Sequence, residues 1–134
     1  MHSYQYSFEK LDVWKNVRKF IPVIYRLTSN FPTDEKFGLV SQIRRAVISI
    51  SSNIAEGVSR TSLKDQIRFI EIAYGSALEV YCQLLSSLDL NFITQQQFDD
   101  ANLSLKEITN KLNALKRSQI ERLKQQQTNQ RINK

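Results

Sequence analysis

Residue types that commonly carry catalysis are scarce in this 134-residue chain. His2 is the single histidine and Cys82 the single cysteine. One copy therefore cannot form a histidine-based catalytic triad or a metal site made of several histidine and cysteine ligands. The sequence also lacks a glycine-rich phosphate loop and the HExxH and GxSxG motifs. We therefore predict a protein with no enzymatic activity and with no bound metal or cofactor.

Basic residues near the C-terminus suggest a different chemistry, the binding of phosphate groups. Residues 111–134 contain seven basic residues and one acid, Glu121, and so carry a formal charge of +6. Lysine and arginine neutralise phosphates and release counterions, so such a segment favours RNA or DNA as a partner. A solvated tail that keeps the protein soluble is the alternative. The expected nucleic-acid-binding residues are Lys111, Lys116, Arg117, Arg122 and Lys124.

If about five phosphates were neutralised, the logarithm of the affinity would fall against the logarithm of the salt concentration with a slope of roughly −4 to −5. The expected binding is weak, indifferent to base sequence and sensitive to salt.

A row of polar residues recurs with helical spacing in the stretch GLVSQIRRAVISISSNIAEG, residues 38–57. Arg45, Ser49, Ser52 and Glu56 fall opposite the apolar side of the same helix. Two serines between an arginine and a glutamate differ from an ordinary solvated face of lysine and glutamate. We expect this row to form hydrogen bonds and ion pairs between copies of the chain. The alternative is that these residues simply solvate a wide helix.

The next helix carries an additional apolar stripe. Phe69, Ile72, Ser76 and Val80 recur at i, i+3, i+7 and i+11, on a different side from the main apolar residues. Because a monomeric bundle needs one apolar stripe per helix, a second stripe predicts contact with another copy. The expected interface residues are Arg45, Ser49, Asn53, Glu56, Phe69, Ile72, Ser76, Glu79 and Val80.

Four helical patterns must position these residues. The chain has only three glycines and two prolines, which favours long uninterrupted helices. Apolar residues at spacings of three and four predict helices over roughly residues 12–29, 34–59, 63–88 and 95–122. Ser62 with Asp65 and Thr94 with Gln97 are typical helix-start pairs. Short connections then predict an all-α protein, an antiparallel up-down-up-down four-helix bundle of residues 12–122.

The two ends differ from the bundle. Tyr4, Tyr6 and Phe8 alternate within residues 1–11, which we expect to form an N-terminal arm, either laid across the bundle or disordered. Residues 123–134 are polar, basic and low in complexity, and we expect them to form a disordered tail. The sequence has no membrane-spanning segment and no evident secretory signal, and with its single cysteine it predicts a cytoplasmic protein.

Several short motifs occur in a recognisable order. They are FPxxExxGL at residues 31–39, QIRRA at 42–46, SIxSNIAEG at 49–57 and AxGSxxE at 73–79. Over most of residues 8–118 the chain resembles a family of four-helix bundle proteins named for intervening sequences in bacterial 23S rRNA genes. That name records where the genes were found and does not demonstrate binding to ribosomal RNA.

The resemblance implies a bundle that assembles into a ring, commonly a pentamer. The family is similar in fold to the accessory variability determinant of diversity-generating retroelements, a basic barrel that works with a reverse transcriptase and nucleic acid. By resemblance, the motif positions of this chain are interface and packing positions and not catalytic ones. These positions are Arg45, Asn53, Glu56, Gly57, Gly75 and Glu79.

Two functions follow as hypotheses. The first is a homo-oligomeric protein that binds RNA or DNA, or assists a ribonucleoprotein, because a ring would concentrate the positive charge of its copies. The alternative is a protein-interaction scaffold whose ring presents a surface to a partner protein such as a reverse transcriptase.

Overall fold

The fold is a bundle of four α-helices in the computed structural model, which describes residues 3–133. The helices are α1 (Asp12–Thr28), α2 (Leu39–Ser59), α3 (Leu63–Asp89) and α4 (Gln95–Ile132), with 3-10 turns at Ser7–Lys10 and Thr33–Glu35. Each helix packs against two others, in the cyclic order α1, α2, α3, α4 and back to α1. No helix within residues 3–133 combines the length and the apolar character needed to cross a membrane.

The core is built from the apolar residues whose spacing predicted the helices. In α2 and α4 these residues are three or four positions apart, which places them on one side of each helix. The buried members are Val40, Ile43, Val47, Ile50 and Ile54 in α2, and Phe98, Ala101, Leu105, Ile108 and Leu112 in α4. The prediction of the core faces of α2 and α4 is therefore confirmed.

Side-chain caps fix where α3 and α4 begin. The Ser62 hydroxyl accepts the Asp65 backbone N–H at 3.1 Å. The Thr94 hydroxyl accepts the Gln97 N–H at 3.1 Å, and the Gln97 side chain accepts the Thr94 N–H at 2.8 Å. These bonds satisfy backbone donors that have no partner inside a helix, so both predicted starts are confirmed.

The start of α2 differs from the prediction. Residues after Thr33 form a 3-10 turn, and α2 begins only at Leu39. The Glu35 carboxylate accepts the Leu39 backbone N–H at 3.2 Å. Glu35 therefore caps α2 from the preceding turn, instead of lying in the first turn of the helix.

The N-terminal arm is ordered against the bundle over its described residues. Glu9 is buried, and its carboxylate accepts the backbone N–H groups of Gln5 and Tyr6, each at 2.7 Å. The Phe8 ring meets the Trp14 ring edge-on with centroids 5.0 Å apart. The described part of the arm is therefore laid across the bundle in the structure. Residues 1, 2 and 134, which belong to the predicted arm and tail, lie outside the described residues.

The predicted disordered tail is wrong, because α4 continues to Ile132. Residues 120–132 contain no glycine or proline, and they are rich in glutamine, lysine and arginine, which have high helix propensity. Lys124 also lies 3.9 Å from Glu121, one turn earlier, although both are largely exposed. The tail is polar enough to be solvated and yet continues the helix.

Gln119 continues the buried side of α4, seven residues after Leu112. It is only 1% exposed, and its amide oxygen has no hydrogen-bond partner among the described residues. A buried acceptor without a partner costs about 1–3 kcal/mol. We therefore expect Gln119→Leu to raise the free energy of unfolding by about 1–2 kcal/mol, as measured by urea denaturation.

The control for this prediction is Gln126→Leu, which changes an exposed residue of the same helix and should leave the stability nearly unchanged. A loss of stability in Gln119→Leu would mean that the amide makes a hydrogen bond in solution, for example to an ordered water.

Candidate nucleic-acid interface

Two of the five predicted nucleic-acid-binding residues join α4 to its neighbours. The Lys111 ammonium lies 2.8 Å from the Asn16 amide oxygen on α1 and 3.1 Å from the Glu107 carboxylate. The Lys116 ammonium lies 3.2 Å from the Glu71 carboxylate on α3. An ammonium already paired within the chain has less to gain from a phosphate. Lys111 and Lys116 therefore have partners within the bundle, and their role in nucleic-acid binding stays a prediction.

The other three predicted residues are exposed on α4. Arg117 and Arg122 lie outside ion-pairing distance of every carboxylate in the described part of the chain, and Lys124 has only its long contact with Glu121. Arg117 and Lys124 are two helical turns apart and share one side of α4. Arg122 lies on a different side, beside Thr61, where it lines a surface depression of about 480 Å³.

Two further cations extend the side that Arg117 and Lys124 share. Lys106 and Arg131 are exposed, and at about 100° per residue all four cations fall within about 40° of one another around the helix. We call Lys106, Arg117, Lys124 and Arg131 the basic stripe. It faces away from the buried side of α4 and spans about 37 Å at a rise of about 1.5 Å per residue.

The sequence prediction missed Arg131 because the end of the helix was expected to be disordered, and it missed Lys106 because this residue precedes the basic segment 111–134. The signal was present in the seven-residue spacing of Arg117, Lys124 and Arg131. Repeated spacing of cations is therefore a usable sign of a basic helical face, once the helix is known to continue.

The serines of the predicted interface are paired within the chain. The Ser49 and Ser76 hydroxyl oxygens lie 2.8 Å apart across α2 and α3. The Asn53 amide donates to the Ser49 carbonyl at 2.8 Å and to the Ser49 hydroxyl at 3.0 Å. The Ser49–Ser76 bond fastens α2 to α3, and the Asn53 bonds lie within α2, so none of these bonds requires a second copy.

The prediction that Ser76 and Val80 lie on a surface between copies is wrong. Ser76 is 6% exposed and Val80 is fully buried in the core. The physical reason is that α3 packs against both α2 and α4. A helix with two neighbours buries a wide apolar sector. When apolar residues are grouped into narrow stripes, the two parts of this sector look like two separate faces.

Phe69 and Glu56 also have partners inside the chain. The Arg60 guanidinium lies 4.8 Å from the centre of the Phe69 ring and 2.7 Å from the Glu56 carboxylate. At Gly57, an added Cβ atom would lie 3.0 Å from the Phe69 Cβ and 3.3 Å from the Gln66 carbonyl oxygen. Gly57 is therefore a point of close approach between α2 and α3.

Four of the predicted interface residues are exposed: Glu56, which pairs with Arg60, and Arg45, Ile72 and Glu79. Ile72 is 41% exposed. Gly75 lies between Ile72 and Glu79, and an added Cβ there would meet no atom of the described chain within 4 Å. A glycine inside a helix costs roughly 0.5–1 kcal/mol relative to alanine, and packing within this chain gives no reason for it. We call Arg45, Ile72, Gly75 and Glu79 the α2–α3 face.

Side chains suited to metal binding are dispersed. Within residues 3–133, no three His, Cys, Asp or Glu side chains come together as a set that could hold a metal ion. Cys82 is an exposed free thiol on α3.

Comparisons with known proteins show a protein family and a solved structure that this chain is similar to. The family model described as 23S rRNA-intervening sequence protein matches residues 9–114. One similar solved structure is a protein with unknown function from the S23 ribosomal protein family of Bacteroides thetaiotaomicron VPI-5482. It is 27% identical, with a TM-score of 0.70 over 77% of this chain and 96% of that chain. A comparison with curated proteins gave no match. Arg117, Lys124 and Arg131 lie beyond the matched segment.

Proposed function

The chain belongs to the 23S rRNA-intervening sequence protein family, and on that premise we propose that it is a non-enzymatic, homo-oligomeric protein that binds RNA or DNA through the basic stripe. The observation that carries the proposal is the continuation of α4 to Ile132 with Arg117 and Lys124 exposed on its outer side. A continuous helix holds these cations in line, so they can meet phosphates along a strand without first being ordered.

Charge alone would account for the binding. The basic stripe has four cations, fewer than the five expected from sequence. If each neutralises one phosphate, the slope of log affinity against log salt should be roughly −3 for single strands and roughly −3.5 for duplex DNA. Phosphate contacts carry no base information, so sequence preference should be small.

The test is fluorescence anisotropy of labelled RNA and DNA oligonucleotides, single-stranded and duplex, titrated with the full chain over a series of salt concentrations. We expect binding at low salt that weakens steeply as salt is added. Absence of binding at low salt would contradict the proposal.

Self-association is the second part of the proposal, with a ring of antiparallel up-down-up-down bundles as its expected form and a pentamer as the expected size. The α2–α3 face supports it, because Ile72 is partly exposed and Gly75 leaves room for another helix to approach. In a ring, the basic stripe would be repeated in every copy, which raises the local positive potential.

Gly75→Leu is expected to dissociate the assembly and to leave the helical content unchanged. The added side chain would meet no atom of its own described chain, whereas it would clash with a helix packed closely against α3. Light scattering reports the mass of the particle, and circular dichroism reports the helices. Ile72→Asp should act in the same way.

Ser104→Leu is the matched control, because it adds the same side chain at an exposed position of α4. It should leave the mass unchanged. A wild-type protein that is a single copy at all concentrations would contradict self-association. Equal loss of helices and assembly in Gly75→Leu would mean that Gly75 serves the fold of the single chain.

A protein-interaction scaffold is the second candidate function. Phe37 favours it, because its ring is 89% exposed just before α2. Aromatic residues, phenylalanine included, are enriched at protein–protein interfaces. Capture from the native host of a stoichiometric protein that survives nuclease treatment, and whose capture is lost in Phe37→Ala, would support the scaffold.

A further inference from the structure

A cleft between the N-terminal arm and α1 combines cations with aromatic rings, and its volume is about 580 Å³. This lies within the range of pockets that hold small ligands. Glu9 and Pro22 contribute to its wall. The arm–α1 cleft, as we name it, is lined chiefly by Tyr4, Trp14, Lys15, Arg18, Lys19 and Arg26.

The four cations of the cleft share one side of α1. At about 100° per residue, Lys15, Lys19 and Arg26 fall within about 40° of one another around the helix, and Arg18 lies about 60° to one side of Lys15. None of the four lies within ion-pairing distance of a carboxylate among residues 3–133. The acid in the wall, Glu9, accepts the backbone N–H groups of Gln5 and Tyr6. The cleft therefore presents an excess of positive charge.

Two of these cations lie over aromatic rings. The Arg18 guanidinium is 5.7 Å from the centre of the Trp14 ring, and the Lys15 ammonium is 5.0 Å from the centre of the Tyr4 ring. A hydrogen bond with Tyr4 raises the pKa of Lys15 above its usual value. The edge contact of Phe8 with Trp14 holds the indole in place.

We propose that the arm–α1 cleft binds a nucleotide unit, with its phosphate on Arg18, Lys19 and Arg26 and its base stacked on the aromatic side chains that line the cleft, Tyr4 and Trp14. Bases stack on aromatic rings and on guanidinium planes, and phosphates pair with lysine and arginine. An acidic peptide would use the cations and leave the rings without a role. The site is separate from the basic stripe, and it rests on the proposed function only where its ligand is a nucleic-acid strand.

Tryptophan fluorescence can test the proposal directly, because Trp14 is the single tryptophan of the chain. The full-length protein is titrated with adenosine monophosphate and, separately, with a short single-stranded oligoadenylate. A base stacked in the cleft should quench the fluorescence and saturate. Saturation by the oligonucleotide alone supports a site for one unit of a strand, and saturation by both ligands supports a nucleotide site as well.

Arg18→Gln combined with Lys19→Gln should lower the affinity for the ligand, measured by the quenching titration, about tenfold at low salt. Tyr4→Ala should lower the same affinity roughly five- to a hundredfold, because a stacking partner of the base is lost. Lys10→Gln combined with Lys36→Gln removes the same charge from exposed positions outside the cleft and should have little effect. Because Arg18 and Lys19 are exposed, the variant should melt at the same temperature as the wild type.

Absence of quenching by both ligands would overturn the proposal, as would quenching that the cleft variants leave unchanged. Equal saturation by a polyglutamate peptide would assign the cleft to acidic peptides instead. Arg117→Gln combined with Lys124→Gln separates the two sites. If strand binding survives this change and is lost in the cleft variant, the basic stripe is refuted and the cleft is supported. If strand binding is lost in this variant and survives in the cleft variant, the cleft alone is refuted.

Discussion

Arg117→Gln combined with Lys124→Gln is expected to weaken the binding of RNA or DNA about tenfold at low salt and to make the salt dependence shallower by about 1.4–1.8 in slope. Both side chains are exposed on the outer side of α4. Each phosphate contact contributes about 0.7 to the slope for single strands and about 0.9 for duplex DNA, so the loss of two contacts sets the change. The measurement is fluorescence anisotropy across a salt series.

Glutamine keeps the helix propensity of these positions, so the variant should retain α4. The matched control is Lys10→Gln combined with Lys36→Gln, which removes two charges far from the basic stripe in sequence. If both pairs changed the slope equally, binding would depend on net charge alone, and the basic stripe would have no special role. A variant with an unchanged slope would place the phosphate contacts elsewhere.

Gly57→Leu is expected to lower the free energy of unfolding by about 3 kcal/mol, which is the largest effect on stability that we predict. A single added Cβ would already lie 3.0 Å from the Phe69 Cβ, 3.3 Å from the Gln66 carbonyl oxygen and 3.3 Å from an Ile70 methyl carbon. The carbonyl belongs to the backbone of α3, so relief requires the two helices to separate. Urea denaturation followed by circular dichroism measures the loss.

Gly75→Ala provides the contrast, because it adds a Cβ in open space on α3. At a protein concentration low enough to disfavour assembly, it should raise the free energy of unfolding by roughly 0.5–1 kcal/mol. Wild-type stability in Gly57→Leu would mean that α2 and α3 approach each other less closely than the structure indicates.

The sequence was sufficient for those features that depend on neighbours along the chain. Helices and their buried sides follow from the spacing of residues such as Ile43 and Leu105, because a helix repeats about every 3.6 residues wherever it lies. The starts of α3 and α4 follow from Ser62 and Thr94, whose caps involve residues three positions away. Motifs in the right order were sufficient to identify the family.

Only the tertiary structure decided which surface each side chain meets. Periodicity shows that Ser76 and Val80 share a side of α3, but it does not show that α2 covers that side. Lys111 and Lys116 belong to a basic segment by sequence. In the structure the Lys111 ammonium contacts the Asn16 amide oxygen of α1, and the Lys116 ammonium contacts the Glu71 carboxylate of α3. The arm–α1 cleft likewise exists because residues 4–9 fold back onto α1. Contacts between segments distant in sequence depend on how the helices pack in space, which local spacing does not encode.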